Sequence, residues 1–198
     1  MHNMVMLFCV LGRIYMKLII VGTGGHGRCC LEIAREIYDE IVFLDDGLVG
    51  RAINDCKVIG CNKDMEKLYT KYQNIFIAIG NNKVRSTLIN KAKKIGYNIV
   101  SLISNKAVIS KYACIKEGAV IFPGAIIEPN STIGIGSIIC ANSVINHDAY
   151  IDNYCLINSS SVIRPTANIK RYCNIGCRCL IESSLEEETV ISNGKVVI

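Results

Sequence analysis

Residues 143–151 read SVINHDAYI, and within them His147 and Asp148 stand side by side among small and apolar neighbours. The chain's other histidines are His2 and His26. A free imidazole titrates near pH 6.5, so in its neutral form it accepts a proton at cytoplasmic pH. An adjacent carboxylate orients such a base and stabilises its cation. The triplet Asn146–His147–Asp148 also suits a plain polar turn, because Asn and Asp tolerate the left-handed backbone. Spacing alone leaves both readings open.

A second candidate lies near the start. KLIIVG (17–22) is an apolar strand, GTGGHG follows it, and RCCLEIAREIY has helical spacing. Gly22, Gly24 and Gly27 fit G-x-G-x-x-G between a strand and a helix. Such glycines let the backbone approach phosphate while the helix N-terminus supplies amide donors. A second strand, IVFLDD, ends in Asp45 and Asp46, near where a ribose-binding acid is expected. NIFIAIG reads as a third strand, then a helix over NNKVRSTLINKAKKIG with Asn81 or Asn82 as its cap. YNIVSLIS reads as a fourth strand. Together these make a small Rossmann-like α/β unit. A nicotinamide-dependent dehydrogenase is a weaker reading, since the second mononucleotide half is missing. The glycines also serve as a simple tight turn, and the two acids as the start of a solvated loop.

What must position these residues is a period. Isoleucine recurs at every sixth position from Ile109 to Ile181, and two residues before each stands Ala, Ser or Cys. Neither a helix nor an ordinary strand has that period, so the pattern means stacked structural repeats. Small-x-Ile puts two side chains on one face of a short extended segment. The other residues of each unit must turn. All 3 prolines, Pro123, Pro129 and Pro165, lie two residues after a repeat isoleucine. The next position holds Gly118, Gly124, Asn130, Gly136, Asn142 and Asp148, which accept a left-handed backbone. Each unit is therefore a short strand plus a corner, and the stack is a solenoid with an isoleucine ladder inside. His147 falls on the corner position that proline takes elsewhere, which directs its side chain outward.

Composition sets limits. In 198 residues, 51% are hydrophobic, which provides a core and excludes a largely disordered chain. No apolar run is long enough to cross a bilayer, and the net charge of +5 includes no Lys/Arg run of the nucleic-acid kind. The expectation is therefore no membrane and no nucleic-acid partner. The 11 cysteines in a chain of this size suit reduced thiols in a cytoplasm. Cys173, Cys177 and Cys179 match no familiar zinc spacing and read as small packing residues, with no metal expected. Residues 1–15 read as an extension with a mis-assigned start, because Met16 opens the first strand. Residues 16–105 then form the Rossmann-like domain and 106–198 the solenoid.

The repeat resembles the hexapeptide-repeat, left-handed parallel β-helix of acyltransferases, whose coils usually occur as trimers. MKLIIVGTGGHGR, FLDD, IAIGNNKVR and the repeats containing NHD together resemble the sialic acid O-acetyltransferase family. That family includes enzymes that N-acetylate UDP-linked 4-amino sugars, and the resemblance covers residues 16–198. It implies a cytoplasmic homotrimer that uses acetyl-CoA and a sugar or UDP-sugar acceptor. It implies that His147 is the general base and Asp148 its orienter. It assigns the acceptor to Gly24, Gly25, His26, Gly27, Asp45, Asp46, Gly80, Asn81 and Arg85. It places coenzyme near Ser159, Arg164, Gly176 and Lys195. Two departures stand out. Leu156 occupies the position, nine residues past His147, of a second family histidine, and the tail ISNGKVVI lacks the usual proline-containing segment. They motivate the alternative of a non-catalytic sugar-nucleotide sensor.

Overall fold

The computed structural model describes residues 15–198. The extension read from residues 1–15 lies outside the described residues, apart from Tyr15. The N-terminal unit runs β1 (Lys17–Val21), α1 (Gly25–Ala34), β2 (Glu40–Leu44), β3 (Ala52–Ile53), β4 (Cys56–Gly60), α2 (Met65–Leu68), β5 (Asn74–Ile77), α3 (Asn82–Ile95) and β6 (Asn98–Ile99). Its sheet has the order β3-β4-β2-β1-β5-β6, parallel except for the β3–β4 pair. β1 and β5 are continuous apolar runs because a parallel sheet is buried on both faces. The chain leaves β1 toward β2 on one side and later reaches β5 on the other. The crevice at their C-terminal ends is therefore the switch point where α/β sheets hold ligands.

YNIVSLIS is not one strand. Asn98–Ile99 closes the N-terminal sheet, whereas β7 (Leu102–Ile103) pairs with Val120–Ile121 as the first rung of the solenoid. Val100 and Ser101 make the transfer between the two.

From β7 to β22 (Val196–Val197) every strand is two residues long, and the strands stack into three parallel sheets. Partners lie eighteen residues apart, as in Ile121↔Ile139↔Ile157↔Ile175. Three six-residue units thus make one coil. The ladder isoleucines from Ile121 to Ile181 are all but fully buried, with the small residues beside them. Burying such a side chain contributes roughly 1.5–3 kcal/mol. Buried serines fit this apolar interior because each hydroxyl has a partner: Ser137 donates to the Asp152 carbonyl, Ser143 to Asn158 and Ser161 to Gly176. The corners adopt the left-handed backbone at Gly118, Gly124, Asn130, Gly136, Asn142 and Asp148, as their residue types require. They do so equally at Tyr154, Ser160, Thr166, Tyr172 and Arg178, where residue type gives no such signal. The last coil is two residues shorter, with Ile175 opposite Ile191 and Ile181 opposite Val197.

The outer surfaces of the three sheets differ. On the first, Leu102, Val120, Ile138 and Leu156 pack against the N-terminal unit, in one core with Leu18, Leu31 and Phe43. On the second, the outward column is Val108, Ile126, Val144, Val162, Leu180 and Val196, aliphatic throughout, with Val108 63% exposed. On the third it is Cys114, Thr132, Tyr150 and Asn168. α3 lies along the corner between the third and first sheets. A Cβ on Gly136 would stand 2.7 Å from Ile89 Cδ1 and 2.9 Å from the Tyr154 ring, so the glycine lets the helix sit close to this corner. Further along the same corner stand Tyr154 and Tyr172, their rings stacked 5.5 Å apart. Among the described residues, no helix is long and apolar enough to cross a membrane.

Candidate functional site

His147 stands at the corner between β14 (Val144–Ile145) and β15 (Tyr150–Ile151). Pro129 and Pro165 occupy the same corner one coil before and one coil after. Backbone bonds lock the stack: Asp148 N–H donates to the Pro129 carbonyl, and Thr166 N–H to that of His147. The Glu128 carboxylate accepts the His147 N–H at 2.8 Å. His147 Nδ1 lies 2.7 Å from Asp148 Oδ2, and Asn130 Nδ2 donates to Asp148 Oδ1 at 3.1 Å. The hydrogen bond from His147, then that from Asn130, holds the Asp148 carboxyl below the usual carboxylate range. An ionised carboxylate at Nδ1 selects the tautomer with its proton there, which leaves the Nε2 lone pair able to accept a proton. The His147 side chain is 54% exposed. It points neither into the prism nor into a core, as its corner position requires.

At the switch point the glycines divide into two kinds. A Cβ on Gly27 would lie 2.0 Å from the Gly22 carbonyl oxygen, so Gly27 exists for close packing of α1 on β1. Gly24, Gly25 and Gly80 have open space where a Cβ would stand. They leave room for a ligand to reach the backbone. Asp45 accepts from the Thr23 N–H and hydroxyl and from the Gly47 N–H. Burial works against its ionised form, but those bonds outweigh it and hold the carboxyl low. Asp46 accepts both the Asn62 N–H and its side-chain amide. Both acids thus brace the loops that border the crevice. Asn81 is the α3 cap, accepting from the Val84 N–H at 3.0 Å. Asn82 reaches instead to the carbonyls of Tyr172 and Cys173.

His26 packs its ring 5.6 Å from that of Phe122. Burial, and then the charge of Arg85, pull its pKa from 6.5 down to about 4, so the ring is neutral at physiological pH. It lines a cavity of about 230 Å³ together with Cys29, Phe122, Cys140, Ala141 and Ser159. Ser159, expected near coenzyme, therefore sits with His26. This cavity opens at the corner between the first and second sheets, whereas His147 stands between the second and third. The aliphatic second face separates the two within one chain.

Arg85 requires a correction. It is 0% exposed. Its Nε donates to the Gly136 carbonyl, Nη1 to those of Ile79 and Gly80, and Nη2 to Asn82 Oδ1 and the Tyr154 carbonyl. All five N–H groups are used, and none remains for an acceptor sugar. Gly176 is explained likewise: a Cβ there would lie 2.6 Å from the Asn193 nitrogen, so the next coil requires the glycine. Arg164 pairs with Glu182 at 3.9 Å beside the His147 corner, and Lys195 is exposed on the last coil. Ser159, Gly176 and Lys195 thus stand on successive coils of the corner between the first and second sheets, whereas Arg164 stands on the His147 corner. Leu156 continues the apolar column under the N-terminal unit, where a leucine packs well. Cys173 and Cys179 lie inside the prism and Cys177 at an outer corner. Residue types alone missed Glu128 and Asn130, although Asn130 lies one coil, eighteen residues, before Asp148.

Residues 17–92 match the PglD N-terminal domain family. Over 92% of this chain and 91% of the other, the structure superposes on the acetyltransferase domain of PglB from Neisseria gonorrhoeae FA1090, with TM-score 0.88 and 28% identity. The same domain in complex with acetyl coenzyme A matches at TM-score 0.68 and 27% identity, covering 91% and 94% of the two chains. GDP-perosamine N-acetyl transferase from Caulobacter crescentus, in complex with CoA and GDP-perosamine, shares the fold at TM-score 0.77 and 21% identity, over 89% and 93%. The fold class expected from sequence, a Rossmann-like unit followed by a left-handed parallel β-helix, is the one observed.

Proposed function

We propose that the chain is a hexapeptide-repeat sugar acetyltransferase that transfers the acetyl group of acetyl-CoA to an amino or hydroxyl group of a nucleotide-linked sugar; the match of residues 17–92 to the PglD N-terminal domain family and the fold shared with the PglB acetyltransferase domain support this reading. The observation that carries this is the His147–Asp148 pair, held at 2.7 Å on an exposed corner. Nε2 takes the proton of the acceptor nucleophile as it attacks the thioester carbonyl. The carbon–sulfur bond breaks as the tetrahedral species collapses, and the imidazolium returns the proton to the departing thiolate. Asp148 stabilises that imidazolium and fixes its tautomer. Such general-base catalysis contributes typically ~10²–10⁴-fold. The acceptor's nucleotide lies at the switch point, where Gly24, Gly25 and Gly80 leave the backbone open and His26 presents a neutral ring. Asp45 and Asp46 hold the loops around it, and Asn81 begins the helix at its edge. The PglB domain and the perosamine enzyme support acetyl-CoA as donor and a nucleotide sugar as acceptor.

The second face supports a homotrimer. Its aliphatic column borders the His147 corner on one edge and the His26 cavity corner on the other. A second copy covering it brings one chain's base toward its neighbour's acceptor crevice, with Ser159, Arg164 and Lys195 available to the coenzyme at the shared boundary. The test is thiol release from acetyl-CoA with a panel of UDP-amino sugars and sialic acids as acceptors. Release with an amino sugar alone makes the reaction N-acetylation. Binding of UDP-sugars with no release from any acceptor replaces the enzyme reading with that of a sensor.

A further inference from the structure

Among the described residues, Arg85 is the one charged side chain that is fully buried, and its partners there are carbonyls and an amide rather than a carboxylate. A buried guanidinium is costly unless every donor is satisfied. Here backbone carbonyls and one amide do so, from three places far apart in sequence. Two acceptors, Ile79 and Gly80, form the turn that ends β5 at the switch point. Two more, Gly136 and Tyr154, belong to successive coils of the solenoid, and Asn82 begins α3. Asn82 itself donates to a third coil at Tyr172 and Cys173. α3 is clamped there by the glycine corner beneath Ile89 and by the ring of Tyr172, over which Lys83 lies at 4.9 Å.

We propose that Arg85 is a positioning residue that fixes the Ile79–Gly80 turn, and with it the acceptor's nucleotide site, in a set place on the solenoid that carries the catalytic corner. The inference rests on the acceptor site proposed above. A carbonyl turned inward to Arg85 leaves the opposite face of the Gly80 turn open to ligand, so the guanidinium sets both the position and the orientation of that peptide. Small displacements of a bound reactant are expensive: misplacement by about 1 Å costs on the order of 10²-fold in rate.

The test uses the full chain with Arg85→Lys, which keeps the charge but cannot span five acceptors, and Asn82→Ala, which removes the amide arm together with its own bonds to Tyr172 and Cys173. Steady-state kinetics are measured for both substrates, and hydrogen exchange is followed at residues 78–82. Arg85→Lys is expected to lower kcat/KM for the nucleotide sugar by on the order of 10²-fold, with the acetyl-CoA KM unchanged and exchange raised at 78–82. Asn82→Ala moves the same parameters in the same direction by less. A raised KM for acetyl-CoA, or unchanged acceptor kinetics, overturns the proposal. If the wild-type chain acetylates no sugar, the acceptor reading fails, and exchange decides alone: unchanged protection at 78–82 in Arg85→Lys overturns the strut. If Arg85→Lys does not fold, Asn82→Ala decides by the same readouts.

Discussion

His26, brought by α1 against one corner of the prism, and His147, built into another, are treated by the fold in opposite ways. His26 is carried on α1 and lies against Phe122, and burial holds it neutral to about pH 4. His147 stands in water between two prolines, with Asp148 beside it. The backbone repeat is the same at both corners. What docks on a corner, and not the corner itself, decides whether its side chains pack, bind or react.

Four changes break or sharpen this contrast. The largest is at the bare corner: His147→Ala is expected to reduce kcat by ~10²–10⁴-fold with Tm unchanged. A fall below about threefold in the folded variant removes His147 from the mechanism. At the covered corner the effect is on stability. Unfolded, His26 takes its proton near 6.5; folded, only near 4. Between those values the unfolded chain binds the extra proton, so stability declines as pH falls from 6.5 toward 4, by at most about 3 kcal/mol. In thermal melts across that window, His26→Gln should lose this part of the slope; parallel curves would show that the ring titrates normally. Gly136→Ala, under α3, forces a Cβ onto Ile89 at a positive φ and should destabilise by about 1–3 kcal/mol in denaturant titrations. The smallest is Thr166→Asn on the bare corner. Thr166 holds φ 62°, which a β-branched residue adopts under strain, and asparagine there should raise stability by roughly 1 kcal/mol or less.

The ladder was legible because each rung restates the same local pattern, so every hexad supplies its own reading of strand, packing residue and corner. The outward turn of His147 followed from the same count. Legibility fails where conformation comes from neighbours. Tyr154 and Tyr172 take a left-handed backbone because the coil imposes it, not because tyrosine favours it. YNIVSLIS alternates apolar residues with Asn98, Ser101 and Ser104 along its whole length, and nothing in its residues marks where one sheet hands over to the next. Arg85 looks like an ordinary helix-surface charge. Its burial depends on carbonyls about fifty and seventy residues downstream, which no local window contains. The shortened last coil is hidden because the isoleucine marker stops at Ile181, and Leu185, Ile191 and Val197 continue the interior in its place.

The eighteen-residue spacing between partner strands has a kinetic consequence. Parallel sheets ordinarily join segments distant in sequence and fold slowly for that reason. Here each new strand finds its partner one coil back, at the same loop-closure cost every time. Once Leu102 and Val120 are seated under α1, later coils can be laid down one upon another as the chain emerges from the ribosome, each finished coil serving as the template for the next.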